Sequence, residues 1–166
     1  FDDLLFYTFL LFRDYPEILN KYQEQFKFIL VDEYQDTNFA QHNIVLQLSK
    51  TYQKVCVVGD DAQSIYSFRG ANIDNILNFT SQYKSAKLFK LEQNYRSTKT
   101  ILNAANMVIE HNLDRKPKKL WTNNPQGEKI IHYMASDERD EARFITEEAV
   151  KQKTLFNVSY GDMAVL

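Results

Sequence analysis

Apolar runs and amphipathic stretches alternate along the 166 residues of the chain. Apolar residues at helical spacing predict helices, whereas short runs of β-branched and aromatic residues that end in polar clusters predict buried strands. Because the two patterns alternate, the sequence predicts an α/β fold with a mostly parallel sheet. The predicted helices span residues 2–12, 16–25, 39–50, 72–83, 97–112 and 137–152, and the predicted strands span residues 26–31, 55–58, 87–91, 129–134 and 163–166.

Three of the predicted strands end in dense clusters of polar residues. The clusters are DEYQD at residues 32–36, GDD at 59–61 and EQNYRS at 92–97. In open α/β sheets, ligands bind beyond the carboxyl ends of the strands. The spacing of 28 residues between Asp32 and Asp60 is about that of one βαβ unit, so these two clusters are expected on neighbouring strands.

The first cluster places Asp32 and Glu33 directly after a strand. A carboxylate at the tip of a buried strand suits a nucleotide-bound magnesium ion. A second carboxylate beside it is able to orient and deprotonate an attacking water. The same acids would also serve as the cap and the first turn of a helix, so the residues alone leave both interpretations open.

The second cluster leads into residues suited to phosphate and base contacts. Gln63 is able to hydrogen-bond a terminal phosphate. Tyr66, Phe68 and Arg69 lie on one predicted loop, as a stacking platform for nucleic-acid bases would. Alternating aromatic residues are also common in protein cores, which is the other interpretation of Tyr66 and Phe68.

The third cluster places Tyr95 and Arg96 before a helix whose N-cap is predicted at Ser97. A helix N-terminus attracts anions, and an adjacent arginine strengthens that attraction. Arg96 is therefore a candidate contact for a γ-phosphate, and Tyr95 for a base. An ion pair between Arg96 and Glu92 is the alternative.

The net charge of −2 hides an uneven distribution. Residues 1–62 hold ten acidic and five basic side chains, whereas residues 84–119 hold nine basic and three acidic ones. This asymmetry suits a site that handles a metal ion on one side and phosphates on the other, although two solvated faces would give the same distribution. Charge alone does not decide between the two.

The single cysteine, Cys56, lies in an apolar run, which predicts a buried and unreactive thiol and no disulfide. A reducing cytoplasm is the expected location. No apolar run is long enough to span a bilayer. None of the four glycines is followed by Lys-Ser or Lys-Thr, so the phosphate-gripping loop GxxxxGK[ST] is absent from the sequence. The start at Phe1 and the stop at Leu166 within an apolar run predict a piece of a longer polypeptide.

Three long strings occur in an order that resembles the UvrD/PcrA/Rep family of superfamily-one DNA helicases. VDEYQDTN at 31–38 resembles the family's motif II, VVGDDAQSIYSFRGA at 57–71 resembles motif III, and LEQNYRST at 91–98 resembles motif IV. The strings FDDLL, AANMVIEHN and KKLWTNN are also similar to family sequence. The resemblance covers essentially the whole chain.

The resemblance implies a 3′-to-5′ DNA motor with two RecA-like P-loop NTPase domains and ATP and Mg²⁺ in the cleft between them. Residues 1–90 would form the later part of the first domain and residues 91–166 the beginning of the second. Such a protein acts on single-stranded and duplex DNA in repair or replication, where repair or replication proteins are its expected partners. Because the phosphate-gripping loop is missing, this chain alone is expected neither to hydrolyse ATP nor to unwind DNA.

Roles at the ATP site follow from the resemblance residue by residue. Asp32 would coordinate Mg²⁺, and Glu33 would activate the attacking water. Gln63 would contact the γ-phosphate and couple it to DNA. Tyr95 would stack on adenine, and Arg96 would serve as an arginine finger.

The resemblance also implies that Tyr66, Phe68 and Arg69 meet single-stranded DNA. The family often has Trp where this chain has Phe68, so stacking is expected to persist with less contact area. Ala62 stands where many members have Asp, and no role is assigned to it.

Two other functions are compatible with parts of the sequence. One is the helicase half of a RecB/AddA-type helicase–nuclease, although SIYSFRGAN and NYRST are more typical of the UvrD side. The other is a non-catalytic module that binds single-stranded DNA at a decayed ATP site. The presence of Asp32, Glu33, Gln63 and Arg96 argues against decay.

Overall fold

A computed structural model describes residues 2–113 and 115–166. They belong to two compact units, Phe1–Gly127 and Glu128–Leu166. The strands are β1 (Ile29–Val31) and β2 (Val55–Val57). The helices are α1 (Asp2–Asp14), α2 (Pro16–Gln25), α3 (Phe39–Ser49), α4 (Asp74–Leu77), α5 (Phe79–Gln82), α6 (Lys99–Ile109) and α7 (Glu138–Phe156).

The two strands pair in parallel, with Leu30 opposite Cys56 at the centre of the register. Alternate side chains of a strand face opposite sides of the sheet. Val31, Val55 and Val57, which flank this central pair, pack against the core. Leu30 is 74% exposed and Cys56 is exposed as well. The prediction of a buried thiol is therefore wrong, because Cys56 falls on the sheet face opposite the core.

The core of the first unit is aromatic. Tyr34 is fully buried and packs edge-to-face on Phe79, with ring centroids 5.7 Å apart. Phe79 in turn stacks on Tyr83 at 4.6 Å. The Tyr34 hydroxyl is hydrogen-bonded to His42 Nδ1 at 2.8 Å, which satisfies a polar group that would otherwise be costly to bury. This core holds the residues that follow β1 against the helices that follow β2.

Some predicted helices differ from the observed ones, either by a break within the helix or in the residue at which the helix begins. The stretch 72–83 is broken at Asn78, whose φ of −97° and ψ of 9° interrupt it between α4 and α5. The prediction of a cap at Ser97 is wrong, because α6 begins one residue later with Thr98 at the cap position and no side-chain cap bond. Asp137 does cap α7, since its carboxylate accepts hydrogen bonds from the N–H groups of Arg139 and Asp140.

Three predicted strands, at 87–91, 129–134 and 163–166, are not strands within the described part of the chain. Apolar residues suffice for a prediction, but a strand forms only where a neighbour supplies hydrogen bonds. Close to the first of these stretches, the described residues form only a single parallel bridge, between Gln93 and Trp121. The observed fold is thus a helix-rich mixture with a small parallel sheet, which is compatible with the predicted α/β class.

The second unit consists mainly of α7. Tyr133 stacks on Phe144 of that helix with ring centroids 4.0 Å apart, and its hydroxyl donates to the Asp140 carboxylate at 3.0 Å. Among the helices of the two described stretches, none combines the length and hydrophobicity needed to cross a bilayer. The division into domains at residue 90 stays a prediction.

Candidate functional site

The polar clusters after β1 and β2 lie side by side. The Val58 N–H donates to the Val31 carbonyl at 2.8 Å, and the Tyr34 N–H donates to the Val58 carbonyl at 3.0 Å. These bonds continue the parallel ladder past the ends of both strands. The expectation that the Asp32 and Asp60 clusters occupy neighbouring strand ends is therefore confirmed.

Asp32 and Glu33 turn sharply at the end of β1. Glu33 has φ 49° and ψ 43°, a left-handed conformation that is uncommon for residues other than glycine. The Asp32 carboxylate accepts a hydrogen bond from the Glu33 N–H at 2.9 Å, which supports the turn. The Glu33 side chain makes no cap bond to the 3₁₀ turn that follows. Both side chains are exposed, so the structure does not support the helix-cap interpretation of Glu33.

The side chain of Gln35 connects the two strand ends. Its side chain is 1% exposed. The amide nitrogen donates to Glu33 Oε2 at 2.8 Å, and the amide oxygen accepts from the Asp60 N–H at 3.0 Å. Ser64 Oγ donates to the Gln35 backbone carbonyl at 3.3 Å. A buried amide satisfied at both ends rigidifies its surroundings, so the two clusters form one hydrogen-bonded unit.

Asp60 fixes the position of Gln63. Its carboxylate accepts from Gln63 Nε2 at 2.9 Å and from the Ala62 N–H at 2.9 Å, and it forms an ion pair with Lys118. Partial burial alone would raise the pKa of Asp60. The hydrogen bonds from Lys118, Gln63 and Ala62 outweigh it, and the pKa lies below the ordinary aspartate value. Asp60 is therefore held as a carboxylate that orients the Gln63 amide.

A cavity of about 740 Å³ opens beside these groups. Asp32, Glu33 and Gln63 line it together with Asp60, Asp61, Lys116 and Lys118, and its apolar wall includes Val57, Phe79, Tyr83 and Leu88. A concave, largely apolar site with a few convergent polar groups is typical of a ligand pocket. Of the residues predicted for the site, Tyr66, Phe68, Arg69, Tyr95 and Arg96 are not among those that line it.

The acidic end of this cavity fits a magnesium ion that arrives with a nucleotide. Mg²⁺ is usually held by one or two carboxylates together with phosphate oxygens and waters, not by a cage of protein ligands. The described residues contain no cluster of three or more metal-ligating side chains. Asp32 and Glu33 offer adjacent, exposed carboxylates at the cavity wall. This donor set suits a phosphate-bound ion.

The aromatic loop after β2 is exposed. Phe68 is 76% exposed, and the rings of Tyr66 and Phe68 lie 6.0 Å apart. The Arg69 guanidinium is 5.5 Å from the Tyr66 ring centroid and 5.4 Å from that of Phe68. The alternative that these aromatics belong to the core is therefore wrong. A cation clustered with two accessible rings has the chemistry of a base-stacking surface.

Tyr95 and Arg96 lie on a loop that is fixed from both sides. The Asn94 carboxamide oxygen accepts from the N–H groups of Arg96 at 3.1 Å and Ser97 at 2.8 Å. Asn124 donates to the Tyr95 carbonyl at 3.2 Å. Both predicted side chains are exposed. Within the described ranges, Arg96 forms no ion pair with Glu92, so that alternative is not what the structure contains.

Sequence reasoning missed the side chains that link the site together. Gln35 lies inside the DEYQD cluster, and its place among three acidic residues was the available signal. Asp61 is 7% exposed and accepts from the Lys116 N–H at 2.6 Å. Lys118 contacts both Asp60 and Asp61 from more than fifty residues away. A local sequence pattern does not predict a contact between residues so far apart in the sequence.

We expect Gly59→Ala to lower the free energy of unfolding of the protein. A Cβ at this position would lie 2.5 Å from Gln35 Oε1 and 2.8 Å from Ile76 Cδ1, and such overpacking typically costs about 1–3 kcal/mol. Thermal unfolding followed by circular dichroism should show a lower midpoint for this variant. The matched control is Gly161→Ala, where the nearest atom is Ser159 Oγ at an ordinary 3.7 Å. Equal midpoints for the two variants would contradict the tight packing at Gly59.

Two helicase family models match the chain in succession. The model of the UvrD/REP helicase N-terminal domain matches residues 1–84, and that of the UvrD-like helicase C-terminal domain matches residues 89–166. Motifs II and III fall in the first match and motif IV in the second.

The chain is also similar to curated proteins named ATP-dependent DNA helicase PcrA. It is 55% identical to the protein of Staphylococcus aureus and 54% identical to that of Staphylococcus epidermidis. Each alignment covers 100% of this chain and 23% of the relative. The resemblance inferred from the three motifs is thus confirmed. Since the two family models follow each other through nearly the whole sequence, the chain belongs to the UvrD/REP helicase family.

Proposed function

We propose that the chain is part of an ATP-dependent DNA helicase that couples ATP hydrolysis to 3′-to-5′ translocation on single-stranded DNA and to duplex unwinding in repair or replication. The observation that carries the proposal is the presence of Asp32, Glu33 and Gln63 around one cavity, at the ends of adjacent parallel strands. Phosphoryl transfer depends on positioned groups of these three kinds more than on covalent chemistry. The names of the two staphylococcal relatives add support.

The ATP chemistry is assigned to the groups at the strand ends. Asp32 would hold Mg²⁺, which neutralises the charge that develops on the β- and γ-phosphates. Glu33, with its carboxylate fixed by Gln35, would orient and deprotonate the attacking water. Gln63, aimed by Asp60, would hydrogen-bond the γ-phosphate without adding charge.

The second half of the chain would complete this site. Arg96 is proposed as an arginine finger and Tyr95 as the stacking partner of adenine. Both side chains are exposed on a loop that Asn94 and Asn124 fix in place. A guanidinium suits this role because it offers planar, charged hydrogen-bond donors to phosphate oxygens.

Single-stranded DNA is assigned to the loop that carries Tyr66, Phe68 and Arg69. Stacking of one base on an aromatic side chain contributes about 1–3 kcal/mol and tolerates any base sequence. This loop begins only a few residues after Gln63. A movement of the Gln63 side chain would therefore occur close to the proposed DNA contact. This proximity supports a coupling between the nucleotide and the DNA.

The proposed architecture is two incomplete RecA-like domains, residues 1–90 and 91–166. The small parallel sheet of β1 and β2 and its polar strand ends are compatible with the first of these. The chain spans 23% of the length of the two staphylococcal relatives named above, so the activity is assigned to the full-length protein. The cytoplasm is the proposed location, as the single unpaired cysteine suggests.

The test is to assay the full-length protein for ATP hydrolysis with and without single-stranded DNA, and for strand displacement on tailed duplexes. We expect DNA to stimulate hydrolysis and a 3′ single-stranded tail, but not a 5′ tail, to support unwinding. DNA binding without ATP turnover would contradict the proposal and favour the binding module. Degradation of the displaced strand would favour the helicase–nuclease.

A further inference from the structure

A buried amide, that of Gln35, lies between the two strand ends and makes a hydrogen bond to a residue of each polar cluster. Gln35 is 1% exposed. We infer that Gln35 is a positioning residue, which aims the Glu33 carboxylate into the cavity and ties it to the strand end that carries Gln63. The inference rests on the proposed function, because it concerns the same ATP site.

The direction of the Gln35 amide is determined by its partners. The Asp60 N–H is only a donor, so the atom that faces it at 3.0 Å must be the amide oxygen. The amide nitrogen must then face Glu33 Oε2 at 2.8 Å and Asp36 Oδ2 at 3.3 Å. A flipped amide would place its oxygen against two carboxylates and its NH₂ against an N–H. Gln35 is therefore a directional donor to Glu33.

The Glu33 carboxylate depends on this donor for its orientation. The backbone of Glu33 is in the left-handed region and its side chain is exposed, so packing does not restrict the carboxylate. Gly59 leaves room for the amide, since a Cβ there would lie 2.5 Å from Gln35 Oε1. The structure thus provides space for one buried amide, and that amide contacts the carboxylate proposed as the base.

The same amide connects the proposed base to the proposed phosphate contact. Gln35 Oε1 accepts from the Asp60 N–H, and Asp60 Oδ2 accepts from Gln63 Nε2 at 2.9 Å. Glu33 and Gln63 are therefore linked through three hydrogen bonds and one aspartate residue. A displacement of either strand end changes the geometry of both side chains together.

Gln35→Glu in the full-length protein tests the inference. The substituted side chain keeps its length and an acceptor for the Asp60 N–H, but it turns a carboxylate toward Glu33 and Asp36. We expect kcat for DNA-stimulated ATP hydrolysis to fall about 10- to 100-fold, the usual loss when a positioning partner is removed or a reacting group is misplaced. KM for ATP and the affinity for single-stranded DNA should stay close to those of the wild type.

The matched control is Gln23→Glu. Gln23 is also buried, at 5% exposure, and its amide likewise donates and accepts, to the Gln47 carbonyl at 2.7 Å and from Thr51 Oγ1 at 2.8 Å. It therefore suffers the same burial of a carboxylate away from the strand ends. An equal loss of kcat in Gln23→Glu would overturn the inference, because it would show general damage to the fold.

Two further variants test the same role of Gln35 if Gln35→Glu does not fold. Gln35→Met removes the donor without adding charge, and we expect a similar loss of kcat. In a Glu33→Gln background, Gln35→Met should cause no further loss, since residues that act through one group are not additive. Wild-type kcat in Gln35→Met, or additive losses in the double variant, would overturn the role of Gln35. Failure of the wild-type protein to hydrolyse ATP would instead overturn the proposed function.

Discussion

Replacing Glu33 with glutamine in the full-length protein is expected to lower kcat for DNA-stimulated ATP hydrolysis by about 10²–10⁴-fold, the usual contribution of a general base. The substitution keeps the shape of the side chain and removes its ability to take a proton from water. Asp32 would remain to hold Mg²⁺, so ATP binding should persist. Rates from a coupled assay, with ATP affinity measured separately by equilibrium binding, check both parts.

The control for this prediction is Glu17→Gln on α2. Glu17 is an exposed glutamate in the first turn of that helix, away from the cavity, so its variant should hydrolyse ATP like the wild type. A Glu33→Gln variant that retains most of its turnover would remove Glu33 from the chemistry. If the Glu33→Gln variant hydrolysed ATP at the wild-type rate, the proposed role of Gln35 in positioning Glu33 would also be wrong.

Replacing Arg96 with alanine is expected to lower ATP turnover by about 10³–10⁵-fold, the range measured for arginine fingers. A finger acts on charge that develops in the transition state, so its loss should reduce kcat more than it weakens binding. The loop itself is held by Asn94 and Asn124 through backbone atoms, so truncation of the side chain should not displace it. ATP turnover and single-stranded DNA affinity, measured on the same preparation, separate the two effects.

Arg139→Ala is the matched control for Arg96→Ala. Arg139 is an exposed arginine in the first turn of α7, so it tests the loss of one positive charge without the loss of the proposed finger. Reduced DNA affinity with normal ATP turnover in Arg96→Ala would contradict the assignment and indicate a DNA contact. Reduced turnover in both variants would indicate a general effect of charge.

The strand ends were predictable because their signal is local. At β1 the β-rich run followed at once by Asp32 and Glu33 predicts a strand with a polar end, and the spacing of Asp32 and Asp60 places the ends of β1 and β2 together. The structure has this arrangement, with Asp32, Glu33 and Gln63 around one cavity. The local pattern therefore predicted the position of these acid and amide groups at neighbouring strand ends, whereas their roles stay predictions.

The missing strands show where local reasoning fails. Residues 87–91 and 129–134 have strand-like composition, yet neither is paired in the described part of the chain. Strand formation depends on a partner that the run itself does not encode. The exposure of Cys56 has a related cause, because an apolar run predicts burial without saying which face of the sheet is covered.

The contacts of Gln35 and Lys118 could not be predicted from the sequence for a different reason. Gln35 lies within an acidic string, and its amide reaches both strand ends only in the folded chain, next to the left-handed turn at Glu33. Lys118 meets Asp60 and Asp61 across a sequence separation that no periodicity covers. Both are properties of tertiary packing.

The pairing of Lys118 has a mechanical consequence. Its ammonium belongs to the stretch matched by the C-terminal family model, whereas both of its carboxylate partners belong to the N-terminal match. A movement of the C-terminal stretch away from the N-terminal stretch would therefore either break the contacts of Lys118 with Asp60 and Asp61 or displace Asp60. Since the Asp60 carboxylate also accepts a hydrogen bond from the Gln63 amide, such a movement would be transmitted to the side chain that is proposed to contact the γ-phosphate.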